Sequence, residues 1–295
     1  VNPLDLKGPE FLAFYIPYAA AVFAVALAAR WFWKIVQRSE STLPRWSPGI
    51  YPREVDAYAI ALMRGGPKEV AHTVLGRLFS SNLIEVSDRV LRRSTPPPGV
   101  WPALDPIETE ALRVLDKAVV AAQAEKEVRK ALEPHLRVLS EDLERQGLIP
   151  GPAQRQGYWN LCGLALLAVS GLGLAKLLVA LARGRTNVDN LILLLILFTG
   201  LGYYVLKPPL RTRSGDKYLG WLKESHRGLV NLVTSGRRED LREMALLAGI
   251  YGLKTLPVFN PLHTALHPPS DSGGDSGGGC GGGGCGGGGC GGCGG

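Results

Sequence analysis

Three stretches of the chain hold almost no charge, and the segments around them repeat apolar residues at helical spacing. The first uncharged stretch runs from Phe11 to Ala29. The second, Tyr158 to Ala182, is broken only by Lys176, and the third runs from about Val188 to Leu206 with Asp189 and Asn190 at its entrance. A bilayer core takes about 20 apolar helical residues to cross. The pattern predicts transmembrane helices at 11–36, 158–182 and 188–206, in a mainly α-helical protein. Lys176 lies six residues from the end of its block, where it is expected to snorkel to the headgroups. Pro17 is expected to kink the first helix, and Gly171 with Ala175 to allow close helix packing. The first helix does not read as a signal peptide, since it is too long and lacks a basic start and a small-residue cleavage site.

Between the first two spans, residues 37–157 predict a helical module. Glu54 to Met63 places Val55, Tyr58, Ala59 and Leu62 on one face, Gly65-Gly66 ends that helix, and Pro67 opens the next, which runs to Asn82. Two short extended runs, 83–86 and 90–93, are joined by Ser87-Asp88-Arg89. Helix, helix, hairpin is the order of a winged helix. Its functional form would be DNA binding through 67–82, with Lys68, Arg77, Arg89, Arg92 and Arg93 as the basic side chains. Recognition helices usually offer more than this, so packing or protein contact is the preferred use of the module.

Beyond the linker at Pro96-Pro97-Pro98, Asp105, Pro106 and Glu108 form a helix start with a capping-box spacing. A longer helix follows from Ala124 to Gln146, with a kink or break expected at Pro134. Lys-Glu-Val (68–70 and 126–128) and Leu-Ile (83–84 and 148–149) recur in two helical units, as in a degenerate duplication. After the third span, Pro208-Pro209 stop the helix. Residues 214–233 then form an amphipathic helix, lying either on the membrane surface or against the module. A last helix from Glu239 to Leu253 ends at Gly252. The domain plan is therefore an external 1–10, spans at 11–36, 158–182 and 188–206, cytoplasmic regions 37–157 and 207–267, and a flexible tail 268–295.

Charge adds orientation. The net charge is +7 and the mean hydropathy +0.08. Residues 37–157 hold 17 Lys/Arg against 16 Asp/Glu, so the surplus lies elsewhere: at Arg30, Lys34 and Arg38, and over 207–238, where eight basic residues face two acidic ones. Basic residues beside spans mark the cytoplasmic side. The expectation is a multi-pass protein of a bacterial inner membrane, N-terminus outside and C-terminus inside. Arg183 and Arg185 in the short outer loop run against the rule. Aromatic belts are expected from Phe11, Phe14, Tyr15 and Tyr18 at one interface and from Trp31, Phe32, Trp33, Tyr158, Trp159, Tyr203 and Tyr204 at the other.

Candidate chemistry is confined to the tail. Residues 277–295 are glycine interrupted by Cys280, Cys285, Cys290 and Cys293. Glycine offers no side chain to bury and carries the largest chain entropy, so this tract does not fold alone. Four thiolates suit zinc or copper(I), although only Cys290 and Cys293 have the tight spacing of common zinc sites. The alternatives are enzymatic modification of an accessible Gly-Cys-Gly unit and a tail without chemistry. His72, His135, His226, His263 and His267 form no metal or catalytic motif. Pro261 and Pro268 argue for a loop at His263 and His267. Cys162 reads as a packing residue of the second span.

Asn2-Pro3-Leu4-Asp5-Leu6, Gly8-Pro9-Glu10-Phe11, Arg211-Thr212-Arg213-Ser214-Gly215 and the Gly/Cys terminus together resemble an uncharacterised bacterial membrane-protein family with that same opening and ending. The resemblance brings no activity with it. The terminus is similar to the ends of peptides modified by iron-dependent oxidases, which motivates the modification alternative. The reading is a non-enzymatic membrane protein that presents a cytoplasmic interaction module, and a tail met by a soft metal or a modifying enzyme. A membrane-tethered winged-helix regulator is the alternative.

Overall fold

The computed structural model describes residues 8–36, 56–94, 103–184, 189–235 and 241–267. It is mainly helical, and among the described residues three helices are long and apolar enough to cross a membrane: α1 (Gly8–Val36), α7 (Pro152–Ala182) and α8 (Asp189–Leu206). Arg30 of α1 donates to the Val205 carbonyl at the end of α8 at 2.7 Å and lies 5.8 Å from the Tyr158 ring near the start of α7. Therefore α1 and α8 run in one direction and α7 in the other. The chain leaves α1 and α8, and enters α7, at the same end of the bundle, which faces the remaining domain.

Packing in this bundle rests on different small residues from those expected. A Cβ on Gly171 would meet nothing within 4 Å. Gly173 and Gly202 carry the close approach instead. A Cβ on Gly173 would stand 2.8 Å from both Leu195 and the Tyr15 hydroxyl, and one on Gly202 2.6 Å from Phe23. Helix association in lipid depends on such fits, because lipid tails are as apolar as leucine. Phe11 and Tyr15 are buried between helices rather than set in a belt, with the Tyr15 hydroxyl donating to the Val169 carbonyl at 3.0 Å. Tyr158 is likewise buried, while Phe14, Trp31, Phe32, Trp159, Tyr203 and Tyr204 are exposed on the helix surfaces. Lys176 does not snorkel freely. It is 5% exposed, with Nζ 5.1 Å from the centre of the Phe11 ring, because the start of α1 packs over it. Pro17 lies inside α1, which continues on both sides of it.

Outside the bundle, α2 (Ala57–Gly65) and α3 (Pro67–Ser80) meet at Gly66, whose φ of +81° suits glycine, and Pro67 opens α3. Strands β1 (Ile84–Ser87) and β2 (Val90–Arg93) form the expected hairpin, with Ser87 opposite Val90. The two turn residues, Asp88 and Arg89, both have positive φ, the geometry that matches strand twist in a two-residue hairpin. A third strand, β3 (Val119–Val120), pairs antiparallel with β2. Two residues are too few for a periodicity to announce, so the sequence predicts no strand there. Helix α4 (Pro106–Val114) begins as expected, the Asp105 amide donating to Glu108 Oε2 at 3.1 Å. The long helix divides at Leu132 into α5 (Ala121–Ala131) and α6 (Glu133–Arg145), so that Pro134 falls in a first turn, where its missing N–H costs nothing.

The two suggested repeat units end alike. Leu83 N–H bonds to the Leu78 carbonyl past Asn82 at φ +54°, and Leu148 N–H to the Leu143 carbonyl past Gly147 at φ +69°, each at 3.0 Å.

The rest of the core comes from beyond the third span. The amphipathic segment is two helices, α9 (Arg213–Ser225) and α10 (Arg227–Thr234), and it packs on the module: Tyr218, Leu219, Leu222 and Val233 join the same buried cluster as α2 to α6. Trp221 and Leu232, apolar residues of the same segment, are exposed. Helix α11 (Leu241–Tyr251) lies against α2 and α3, and comes so close that a Cβ on Gly249 would stand 2.5 Å from the Ala57 carbonyl oxygen. Gly252, at φ +94°, ends it. Helix α12 (Asn260–Leu266) closes over α5.

Candidate functional site

Helix α3 is the polar seam of an otherwise apolar core. His72 is buried, with partners on α5, on its own helix and just past α12. Its Nε2 is 3.2 Å from Glu125 Oε2 on α5, its Nδ1 3.9 Å from Glu69 Oε2 one turn earlier, and its ring 5.2 Å from that of His267 after α12. A carboxylate only accepts, so Nε2 carries the proton that bonds Glu125. Burial pushes the His72 pKa below the ordinary histidine value and outweighs the pull of the two carboxylates in the opposite direction. Lys68 Nζ lies 3.7 Å from Glu125, and Arg64 pairs with Glu69 while its Nε donates to the Gly249 carbonyl at 2.8 Å. The His263 ring is 5.0 Å from that of His267, and its pKa is also lowered, by burial and then by His267.

One and a half turns on, Arg77 Nε lies 3.5 Å from Glu108 Oε1, which also accepts the Tyr58 hydroxyl. Burial, and next the Glu108 charge, push Tyr58 far above the ordinary phenol range. Glu108 thus serves twice: one oxygen caps α4 and the other neutralises a buried guanidinium. Arg77 Nη1 has no hydrogen-bond partner among the described residues.

These positions change the meaning of several sequence candidates. Residues Val70 to Leu78 are all buried, Arg77 is engaged by Glu108 and Lys68 by Glu125. A helix enclosed by α2, α5 and α11 does not present a face to a DNA groove. In the hairpin, Arg93 pairs with Asp116, while Arg89 and Arg92 are exposed. The loop expected at His263 and His267 is corrected in part: His263 lies inside α12, because Pro261 is accommodated in its first turn, while His267 stands just past the helix end as expected. Even so, no group of three His, Cys, Asp or Glu side chains among the described residues is arranged to hold a metal. Cys162 is buried with Ala26, Ala165 and Leu206, as a packing residue would be. Cys280, Cys285, Cys290 and Cys293 lie outside the described residues.

Sequence alone does not single out Glu69 or Glu125, and it marks Glu108 only as a capping residue, without its link to Arg77. A signal existed for the first, since Glu69 and His72 stand three apart on an apolar helix face. Nothing local links Arg77 to Glu108, or His72 to Glu125, because tertiary packing alone brings them together. No protein family, curated protein or solved structure matches this chain.

Proposed function

We propose that this is a non-enzymatic, multi-pass protein of a bacterial inner membrane whose cytoplasmic module presents the Gly/Cys tail to a soft metal, zinc or copper(I), or to a modifying enzyme. The observation that supports the reading is the docking of α12. The His267 ring packs edge-on against that of buried His72 and is followed in the sequence by Pro268, so the last described residue before the tail is held on the module and not on a membrane helix. Glycine neighbours add no side chain that would hinder a modifying enzyme, and soft sulfur donors fit the metals named. The basic residues flanking α1 and α8 support the orientation with the module and tail in the cytoplasm. The membrane-tethered DNA-binding alternative draws no support from the burial of α3.

Intact-mass analysis of the full chain from its native host is expected to show mass changes confined to residues 277–295, or metal that is lost when Cys280, Cys285, Cys290 and Cys293 are all changed to serine. An unmodified tail, together with equal metal content in wild type and the four-serine variant, rejects the proposal.

A further inference from the structure

Where the module meets the membrane helices there is a cavity of about 730 Å³. Five cations from three helices converge on it: Lys126, Arg129 and Lys130 from α5, Arg137 from α6, and Arg155 from the first turns of α7. The single acidic residue in the lining is Glu133. Apolar lining comes from Leu62, Leu136 and Ile149, and from Leu210 just beyond the end of α8.

From these features we infer that the cavity is a binding site for a phosphate-bearing anion at headgroup depth. Lys126, Arg129 and Lys130 stand at i, i+3 and i+4, so they share one helix face. A solvated face would account for those three alone, and Arg129 and Lys130 also suit the negative end of α5. All five are exposed, but Arg137 and Arg155 reach the same recess from separate helices, a convergence that one solvated helix face does not produce. None of the five forms an ion pair among the described residues, although several neighbours on α3, α4 and α9 do. Like charges gathered in a concave, partly apolar recess raise the local potential and concentrate counter-anions. Guanidinium groups match phosphate oxygens in paired hydrogen bonds.

Depth selects the ligand class. Arg155 lies three residues before Tyr158, where the uncharged span of α7 begins, and Leu210 four residues after the end of α8. The recess therefore opens beside the points at which two membrane helices leave the bilayer. Its size is that of pockets that hold whole small molecules, larger than one phosphate group needs. Both the headgroup of an anionic phospholipid and a soluble phosphate ester meet this chemistry. The inference does not depend on the tail.

The test uses the full-length chain in detergent. Native mass spectrometry with dioleoyl phosphatidylglycerol, against dioleoyl phosphatidylcholine, reads the lipid arm, and calorimetry with inorganic pyrophosphate reads the soluble arm. Changing Arg129 and Arg137 together to Gln is expected to weaken the bound probe by on the order of tenfold or more. The Arg89→Gln/Arg92→Gln variant, which removes the same charge from the hairpin, is expected to bind within about twofold of wild type. Selective retention of phosphatidylglycerol assigns the headgroup, and binding of pyrophosphate assigns a soluble ligand. The inference is overturned if neither probe exceeds the phosphatidylcholine level, if both variants lose affinity equally, or if only an acidic protein segment occupies the recess. Lys126→Gln/Lys130→Gln serves as the second variant should the first fail to fold.

Discussion

A Cβ on Gly215 would overlap the carbonyl oxygen of Leu148, so the first turn of α9 lies directly on the link between α6 and the second membrane helix. Thr212 holds the same junction. Its amide donates to the Leu148 carbonyl at 3.1 Å and its hydroxyl to the Gly147 carbonyl at 2.6 Å, while Arg211 reaches the Arg64 carbonyl at 2.7 Å. The stretch Arg211 to Gly215 therefore clamps the exit of the third membrane helix to the entrance of the second.

Gly215→Ala is expected to destabilise the protein by about 1–3 kcal/mol, the usual cost of forcing extra volume into a packed contact. Gly220→Ala on the same helix would meet nothing within 4 Å, and should stabilise by up to about 1 kcal/mol through helix propensity. Thermal unfolding of the two variants in one detergent checks the contrast. Equal melting temperatures would show that α9 is not seated on Leu148.

Glu108→Ala leaves Arg77 buried without its carboxylate and is expected to cost about 3–5 kcal/mol. The double variant Arg77→Met/Glu108→Leu removes both charges and should be far milder than the single change. Denaturant titrations of the full chain provide the comparison, and additive costs would contradict the buried pairing.

Acid should loosen the α3, α5 and α12 contact. His72 and His263 have pKa values below the ordinary value near 6.5, so below that pH the unfolded chain binds protons that the folded chain resists. Their stabilising contribution is complete above pH 6.5 and declines as pH falls toward the folded values. Glu69, Glu125, His267, Lys68 and Lys254 surround the two rings and set the size of the change. His72→Gln should flatten the fall in melting temperature between about pH 6.5 and 5. An unchanged slope would mean that His72 is solvated in the folded protein.

Gly202→Ile is expected to disrupt the bundle, since its side chain would collide with Phe23 and Leu166, whereas Gly171→Ile faces open space and should be tolerated. The expected gap is roughly 1–3 kcal/mol, as for other overpacked contacts, and is read as the temperature of detergent-phase aggregation.

Much of this architecture was legible beforehand because its signals are local. Hydropathy length gave α1, α7 and α8, Gly65-Gly66-Pro67 gave the joint of α2 and α3, and Pro134 gave the break after Leu132. The polar seam was not legible in the same way. His72 and Glu125 are 53 residues apart, and Tyr58 and Glu108 are 50 apart, so only the assembled core pairs them. The basic recess was missed for a related reason. The net balance of residues 37–157 is near neutral, and five cations drawn from three helices leave no run of charge to notice. Gly171 misled because spacing of small residues marks a helix face without saying which face meets a neighbour.

The closing of the core by α11 and α12 also orders events at the ribosome. Helix α11, which covers α2 and α3, begins roughly 95 residues after α6 ends, an interval on the order of 5–20 s at ordinary elongation rates. On the proposed membrane reading, α7 and α8 enter the bilayer during that interval while the apolar faces of α2 and α3 wait uncovered. Completion of the core outside the bundle is then coupled to insertion, and a chain halted between α8 and α11 would expose those faces to chaperones and proteases.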